Sequence, residues 1–322
     1  MAMIETRGLT KTFRARGKMV EAVRGVDLDV QAGQIFGFLG PNGAGKTTTM
    51  RMLATLLLPS GGSARVVGFD LLRQAAEVRR RIGYVSQKGG AHDLSTGDEN
   101  LLLQGKLYGM TNTAVRKRAK ELIDVLDLAP FASRLVRTYS GGQRRRLDMA
   151  MGMIHRPALL FLDEPTTGLD PQSRVRMWEE LRRLRAAGTT IFLTTHYLDE
   201  ADALCERLAI IDNGQIVSED TPAALKHQIA GDIISLGLDT HNGNVVRADG
   251  VLRAQAFVRE LHAHEGSMQL YVERGEEVLP VVLRLLDSAG LTVSTVTLAR
   301  PTLDDVFLRL TGRSLRETAQ SA

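Results

Sequence analysis

The fold is decided by one glycine-rich stretch, which reads Gly40, Pro41, Asn42, Gly43, Ala44, Gly45, Lys46, Thr47. It fits the pattern G-x-x-x-x-G-K-[ST], follows an apolar run typical of a buried strand and precedes a helical stretch that includes Thr48. Glycines let successive backbone N–H groups close around a polyphosphate, and the N-terminus of the following helix attracts the same anion. The stretch predicts a phosphate-binding loop, in which Lys46 meets the outer phosphates and the Thr47 hydroxyl is a ligand of Mg²⁺.

Apolar runs on either side of this loop predict an α/β fold. Near-continuous runs, typical of parallel strands buried on both faces, occur at 34–39, 158–162, 189–193 and 208–211. Helical patterns lie between them, and the clearest begins at Asp170 as N-cap and ends at Gly188. Its residues Val175, Trp178, Leu181 and Leu184 share one face, and Trp178 is expected to pack in the core. Alternating apolar residues near the N-terminus add an antiparallel β subdomain, and residues 96–154 add a helical subdomain.

Two acidic residues, Asp163 and Glu164, follow the apolar run at 158–162 directly. Ligands of open α/β sheets bind at the carboxyl ends of the strands, so we expect this pair beside the phosphate loop. Asp163 suits a direct or second-sphere contact with Mg²⁺, and Glu164 is placed to accept a proton from the water that attacks the γ-phosphate. An acidic pair that ends a strand is more often a simple turn, but its partnership with the loop favours catalysis.

One histidine, His196, closes the next predicted strand and should emerge at the same edge of the sheet as Glu164. We expect it to donate to the γ-phosphate and orient it. A histidine at the end of a strand is usually incidental, and only its place in the strand order points to a role here.

Composition and charge exclude several classes of protein. The chain has 41 Lys and Arg against 37 Asp and Glu, a net charge of +4 that is too small to indicate nucleic acid. Its single cysteine, Cys205, excludes an intrachain disulfide and fits a reducing compartment. We find neither a signal-peptide pattern nor an apolar run near the roughly 18 residues of a membrane span, so a cytoplasmic chain that does not cross the membrane is expected.

The pattern changes after Pro222, where strand and helix signals continue without a chemical motif. We therefore predict two domains, a nucleotide-binding domain over 1–225 that contains the phosphate loop and a small C-terminal α/β domain over 226–322. The second is predicted to end in an amphipathic helix with Thr302 as N-cap and with one apolar face formed by Leu303, Val306, Phe307 and Leu310.

A capped helix is predicted at Ser140, because Ser140 and Gln143 have the spacing of a capping box. Its N-terminus could hold an anion, although an ordinary capped helix would have the same pattern. The stretch Tyr139-Ser140-Gly141-Gly142-Gln143 resembles the signature sequence of ABC ATPases, with tyrosine in place of the usual leucine. With the other motifs in the family's order, the chain resembles this family from Met3 to about Leu225.

The resemblance implies a RecA-like P-loop NTPase core that binds and hydrolyses ATP with Mg²⁺. Phe13 is similar to the aromatic residue that stacks on adenine, and Gln87 to the glutamine that senses Mg²⁺ and the attacking water. Asp170 closes a stretch that resembles the loop linking two active sites. In this family two cassettes sit head to tail, and each ATP lies between the phosphate loop of one and the signature of the other. This implies a dimer, with a second copy expected and a related chain left open.

The stretch 299–312 is similar to the closing motif of daunorubicin-resistance-type exporter ATPases. This implies a peripheral subunit at the cytoplasmic face of the membrane that powers an ABC-2-type transmembrane permease, with an amphipathic drug, lipid or glycolipid as cargo. A non-transport ABC ATPase acting on ribosomes or DNA and an importer subunit are the alternatives. Co-purification with a multi-spanning membrane protein would exclude the first of them.

Overall fold

The computed structural model describes residues 1–15, 18–229, 231–238, 244–264 and 266–312. The chain divides into two compact units, a first unit Met1–Thr221 and a second unit Pro222–Glu317. Within the described ranges, no helix is both long enough and apolar enough to span a membrane.

The first unit contains two sheets. Its strands are β1 Ala2–Ala15, β2 Lys18–Gln31, β3 Ile35–Leu39, β4 Gly61–Val66, β5 Phe69–Asp70, β6 Ile82–Val85, β7 Leu159–Asp163, β8 Thr190–Thr195, β9 Arg207–Asp212 and β10 Gln215–Asp220. Its helices are α1 Lys46–Leu53, α2 Ala75–Arg81, α3 Gly97–Leu107, α4 Asn112–Val125, α5 Gly141–Met153, α6 Pro171–Ala186 and α7 Leu198–Leu204, with a 3₁₀ turn at Val136–Thr138.

The larger sheet has the strand order β10-β9-β3-β8-β7-β6 and is parallel except for β10. Strands β3, β7 and β8 are buried along their whole length, as continuous apolar runs predict. Because they are parallel, their carboxyl ends lie at one edge. The loop after β3, the acidic pair after β7 and the histidine after β8 are thereby brought to the same edge.

The smaller sheet has the order β2-β1-β4-β5 and is antiparallel. Val26, Leu28 and Val30 of β2 are buried, as their alternation predicts. The helical insert is formed by α3, α4 and α5. With the parallel core, these parts confirm the predicted fold class.

Helix α6 shows one difference from the prediction. It begins after Asp170, whose side chain accepts a hydrogen bond from Ser173 N, and it ends before Gly188 as expected. Val175 was predicted to share the buried face, but it is 49% exposed, and Met177 is buried instead. Trp178 is only half-buried, and its Nε1 donates to Glu200 Oε1 at 3.4 Å. Leu181 and Leu184 are buried as predicted, so the prediction was wrong at Val175, near the start of the helix.

The second unit is a small α/β domain. Its elements are α8 Pro222–Ile229, β11 Asp232–Leu238, α9 Asn244–Arg253, β12 Val258–His264, β13 Ser267–Val272, α10 Gly275–Ser288, β14 Val293–Ala299 and α11 Leu303–Thr311. The strands form an antiparallel sheet of order β12-β13-β11-β14, and their βαββαβ connectivity is ferredoxin-like. Helix α9 ends at Arg253, and strand β12 begins at Val258.

Two clusters of apolar side chains hold the second unit together. One lies between the sheet and helices α9 and α10, and includes Ile234, Leu252, Leu270 and Leu286. Helix α11 packs against α8 and buries Leu303, Val306 and Phe307, whereas Leu310 is half-buried. Thr302 is the N-cap as predicted, and its hydroxyl forms a capping box with the Asp305 carboxylate.

Candidate active site

The phosphate loop joins β3 to α1 and folds around the side chain of Lys46. Lys46 Nζ donates to Gly40 O at 2.7 Å and to Pro41 O at 3.0 Å, and the side chain is 4% exposed. Gly45 has φ 103°, and a Cβ there would lie 2.5 Å from Ala22 O. Only glycine fits this position, because the backbone is left-handed and the neighbouring chain is in the way.

The carboxyl end of β7 lies directly beside the loop. Asp163 Oδ1 accepts a hydrogen bond from Thr47 Oγ1 at 2.9 Å and another from Thr194 Oγ1 at 2.7 Å. Thr194 also accepts from the backbone N of Glu164 at 3.1 Å. The β8 threonine thus fixes both acidic residues, a role that the sequence motifs did not reveal.

Four side chains surround the carboxylate of Glu164. Gln87 Nε2 donates to Oε2 at 3.0 Å, Thr167 Oγ1 donates to the same oxygen at 3.2 Å, and His196 Nδ1 lies 3.3 Å from it. Lys46 Nζ lies 3.6 Å from Oε1. The structure therefore brings together the predicted base, the predicted histidine and the glutamine, and adds Thr167 to them.

The electrostatics of this cluster favour an ionised glutamate. Burial raises the pKa of Glu164, but the His196 ring and the Lys46 ammonium outweigh it, so the net pKa lies below its ordinary value. Burial lowers the pKa of Lys46, and Glu164 and Asp163 act against that shift. Since Lys46 Nζ donates to two carbonyls beside this carboxylate, the geometry supports the charged lysine.

A cavity of about 470 Å³ opens over the loop. The predicted site residues that line it are Pro41, Asn42, Gly43, Gly45, Lys46, Thr47, Thr48, Gln87, Glu164 and His196. Ala22 and Thr167, which were not predicted, complete the lining. The lining combines backbone of the loop, one ammonium, hydroxyls and one carboxylate, which suits a polyphosphate and an attacking water.

Other predicted site residues do not line this cavity. Gly40 and Ala44 belong to the loop but are buried, and Asp163 lies behind Thr47. Phe13 is 37% exposed, with Lys11 Nζ 5.1 Å from the centre of its ring. The Lys11 ammonium thus lies over one face of this partly exposed ring, and Phe13 does not line the cavity.

The signature residues lie at the start of α5, and none of Ser140, Gly141, Gly142 and Gln143 lines the cavity. Ser140 Oγ accepts from Gln143 N at 3.3 Å, and Gln143 Oε1 accepts from Ser140 N at 3.0 Å, which is the predicted capping box. Tyr139 packs edge-on against Phe131 and donates from its hydroxyl to Phe131 O at 2.7 Å. Tyr139, which directly precedes the N-cap, therefore fixes the start of α5 against Phe131.

Asp170 likewise does not line the cavity. Its carboxylate caps α6, and hydrogen bonds from the Ser173 hydroxyl and backbone N lower its pKa. Within the chain, its observed contacts are those of a helix cap.

A magnesium ion fits the oxygen donors beside the loop. The structure shows no group of three or more His, Cys, Asp and Glu side chains arranged for a metal among its described residues. Mg²⁺ is usually held by one or two carboxylates together with substrate phosphates and water. The Thr47 hydroxyl and the Asp163 carboxylate, which share a hydrogen bond beside the phosphate loop, match that donor set.

Comparison with known proteins decides the family. A family model described as ABC transporter matches residues 23–167, and one described as ATP-binding protein DrrA1-3-like, C-terminal domain, matches residues 221–311. The chain belongs to the ABC transporter ATP-binding proteins. This ABC ATPase is 44% identical, over 98% of its length and 96% of the relative's, to the daunorubicin/doxorubicin resistance ATP-binding protein DrrA of Streptomyces peucetius.

Two further similarities bear on the ABC ATPase. It is 38% identical to Nod factor export ATP-binding protein I of Ralstonia nicotianae, over 98% of this chain and 95% of that one. Its structure resembles the ATP-binding cassette MJ0796, solved as a dimer in a post-hydrolysis state with ADP and Pi. The TM-score is 0.63 at 27% identity, covering 68% of this chain and 98% of that one.

The predicted family and activity are confirmed. The chain is an ABC ATPase with a DrrA1-3-like C-terminal domain, and proteins of this family bind ATP. The signature motif and the closing motif were the signals in the sequence that separated this family from other phosphate-loop enzymes.

Proposed function

We propose that this ABC ATPase is the motor subunit of an exporter and hydrolyses ATP at the cavity over its phosphate loop. The observation that carries the proposal is the convergence of Lys46, Gln87, Thr167 and His196 on the carboxylate of Glu164, at the edge of that loop. A carboxylate that is held ionised and aimed at a phosphate site is equipped to take a proton from water.

In this proposal the groups of the loop bind the triphosphate of ATP. The backbone N–H groups of the loop and the Lys46 ammonium carry the phosphate charge, Glu164 accepts a proton from the attacking water, and Gln87 and His196 orient that water and the γ-phosphate. Mg²⁺, held by Thr47 and Asp163 and sensed by Gln87, would neutralise charge on the phosphates when bound. Phe13 would stack on adenine.

We propose further that two copies assemble head to tail. The signature residues Ser140 to Gln143 cap a helix away from the chain's own cavity, so their donors suit the phosphates held by the loop of a second copy. Asp170 would lie in the linking loop between the two sites. The dimeric state of the similar cassette MJ0796 supports this arrangement.

The membrane partner is proposed to be an ABC-2-type transmembrane permease, with the ATPase at its cytoplasmic face. Leu103 and Leu107 lie one turn apart on α3 and are 56% and 73% exposed, which is an apolar surface that a partner would cover. The division of labour is proposed as ATP chemistry in 1–225 and assembly in 226–322. Charge balance gives no support to nucleic acid as a partner.

The cargo is proposed to be an amphipathic drug, lipid or glycolipid. Support comes from the relatives, which are described by daunorubicin and doxorubicin resistance and by Nod factor export. Affinity purification of the full chain from membranes, followed by identification of proteins and bound small molecules, tests the proposal. Recovery of a multi-spanning membrane protein is expected. Recovery with ribosomes or DNA in its place would contradict an exporter.

A further inference from the structure

Arg145 is a buried arginine in the second turn of α5, and only 7% of it is exposed. Its guanidinium donates three hydrogen bonds to three backbone carbonyls that belong to two different segments. Nη1 donates to Ser86 O at 2.6 Å, Nη2 to Asp163 O at 2.8 Å, and Nε to Pro165 O at 2.9 Å. One side chain therefore ties together segments that are far apart in the sequence.

The three carbonyls flank the pair that the proposed chemistry uses. Ser86 directly precedes Gln87, while Asp163 and Pro165 stand on either side of Glu164. Gln87 and Glu164 meet through a hydrogen bond of 3.0 Å, and that distance depends on how the two segments are held. Glu164 has φ 47°, a left-handed conformation that few residues other than glycine adopt. Arg145 donates to the carbonyls on both sides of this unusual residue.

A second contact joins α5 to the segment after Gln87. Asp148, one turn along α5 from Arg145, accepts from Gly90 N at 2.8 Å and from Ala91 N at 3.0 Å. A Cβ on Gly89 would lie 2.4 Å from Asp148 Oδ2, so the loop passes close against this carboxylate. The loop that carries Gln87 is thus attached to α5 at both of its ends.

We propose that Arg145 is a positioning residue for ATP hydrolysis, which holds Gln87 against Glu164 and so makes the hydrolytic pair depend on the placement of the signature helix. Arg145 does not line the cavity and touches neither phosphate nor water in this scheme. The planar guanidinium presents several N–H donors in a fixed geometry, which a lysine ammonium cannot reproduce. The inference rests on the proposed roles of Gln87 and Glu164.

The test measures kcat and the KM for ATP in the full chain with Arg145→Lys, with Gln87→Ala and with both changes. We expect Arg145→Lys to lower kcat by about 10²-fold, as small displacements of catalytic groups do, while the KM for ATP stays near the parent value. Because both changes disrupt the same pair, the double variant should be no slower than the slower single variant.

Arg146 provides a matched control on the same helix. Its Nη1 donates to Leu126 O at 3.3 Å and to Asp127 O at 3.2 Å, away from the cavity. Arg146→Lys should keep the parent kcat, and any loss it causes should multiply with that of Gln87→Ala.

Arg145→Gln, which keeps one amide donor, serves as a second variant, and thermal unfolding checks that each variant is folded.

Two results would overturn the inference. One is a parent-like kcat in folded Arg145→Lys and Arg145→Gln, and the other is multiplication of the Arg145 and Gln87 losses. A merely structural role would lower the unfolding temperature and raise the KM together with the loss in kcat. Glu164→Gln separates the two proposals. If that variant still hydrolyses ATP at the parent rate, the proposed chemistry fails, whereas an inactive Glu164→Gln with multiplying losses removes only the role of Arg145.

Discussion

The two units of the chain differ in what they bury. Among the described residues, every buried polar or charged side chain lies in the first unit, including Lys46, Arg145, Asp163 and Glu164. The described part of the second unit buries apolar side chains around a ferredoxin-like sheet. Burial of a charge costs free energy unless a partner compensates it, so the first unit must supply partners for these groups. The comparison fits the proposed division, in which the first unit carries the hydrolytic groups and the second serves assembly.

The largest expected effect comes from removing the base in the first unit. Glu164→Gln keeps the shape and the hydrogen bonds of the side chain but cannot accept the proton, so hydrolysis should fall by about 10²- to 10⁴-fold. ATP should still bind, because Lys46 and the loop are unchanged. Steady-state hydrolysis and equilibrium ATP binding are the two measurements. Near-normal turnover in this variant would remove Glu164 from the mechanism.

A charge in the core of the second unit should strongly reduce folding and assembly, whereas ATP binding should not change. Phe307 is fully buried on α11, and loss of a buried phenylalanine alone costs about 3–5 kcal/mol. We expect Phe307→Asp to unfold the second unit and to reduce recovery of the membrane complex, while ATP affinity is retained. Thermal unfolding, ATP titration and yield from membranes measure this.

Leu308 is the matched control for Phe307, since it is the next residue of α11 and is 47% exposed. Leu308→Asp should leave the fold intact, and a loss of complex in that variant would point to direct contact at this surface. If Phe307→Asp abolishes ATP affinity and leaves assembly unchanged, the assignment of the two units is wrong.

Mixing two inactive variants of the chain should restore part of the ATP hydrolysis, which is a smaller change than the two above. Ser140→Arg blocks the signature, and Lys46→Ala disables the phosphate loop. In a random mixture of the two, about a quarter of the composite sites combine an intact loop with an intact signature, because half of the dimers are mixed and each mixed dimer has one intact site of its two equivalent sites. We expect partial recovery of hydrolysis on mixing, measured against each variant alone. A mixture as inactive as its components, with both variants folded, would contradict the shared site.

The smallest effect concerns pH. The Glu164 pKa lies below its ordinary value, and the His196 ring contributes most to lowering it, against the effect of burial. A lowered pKa keeps the base ionised down to acid pH, and activity is lost as the pH falls through that pKa. His196→Ala should therefore move the acid limb of the pH–rate profile to higher pH. His262→Ala, in the second unit, should leave the profile unchanged, and an equal shift in both variants would exclude a specific role for His196.

The sequence predicted features that depend on local spacing. The phosphate loop, the strand ends that carry Asp163 and His196, and the helix caps at Ser140 and Thr302 all occur where predicted, because each pattern spans only a few residues. The exposed Val175 was missed because period alone does not say which face of a helix meets the core.

Contacts between distant segments could not be predicted in this way. Thr194 binds Asp163 across neighbouring strands, and Arg145 reaches the backbone at Ser86 and Pro165. These partners are set by tertiary packing, and neither an isolated threonine in a strand nor an arginine within an arginine run stands out in the sequence. The position of Arg145 within two turns of the signature was the clearest sign in the sequence that this residue could act near the site.

The left-handed backbone at Glu164 means that changes which stabilise the fold at this position are expected to reduce ATP hydrolysis. A residue held in such a conformation costs roughly 1–3 kcal/mol, and glycine or asparagine would occupy it with less strain. Either replacement relaxes the peptide but removes the carboxylate that is proposed to accept the proton and that lies 3.6 Å from Lys46 Nζ. Selection for thermostable variants of this protein will therefore tend to replace the proposed base at residue 164. Stabilising changes are better sought in the second unit, where no reacting group is proposed.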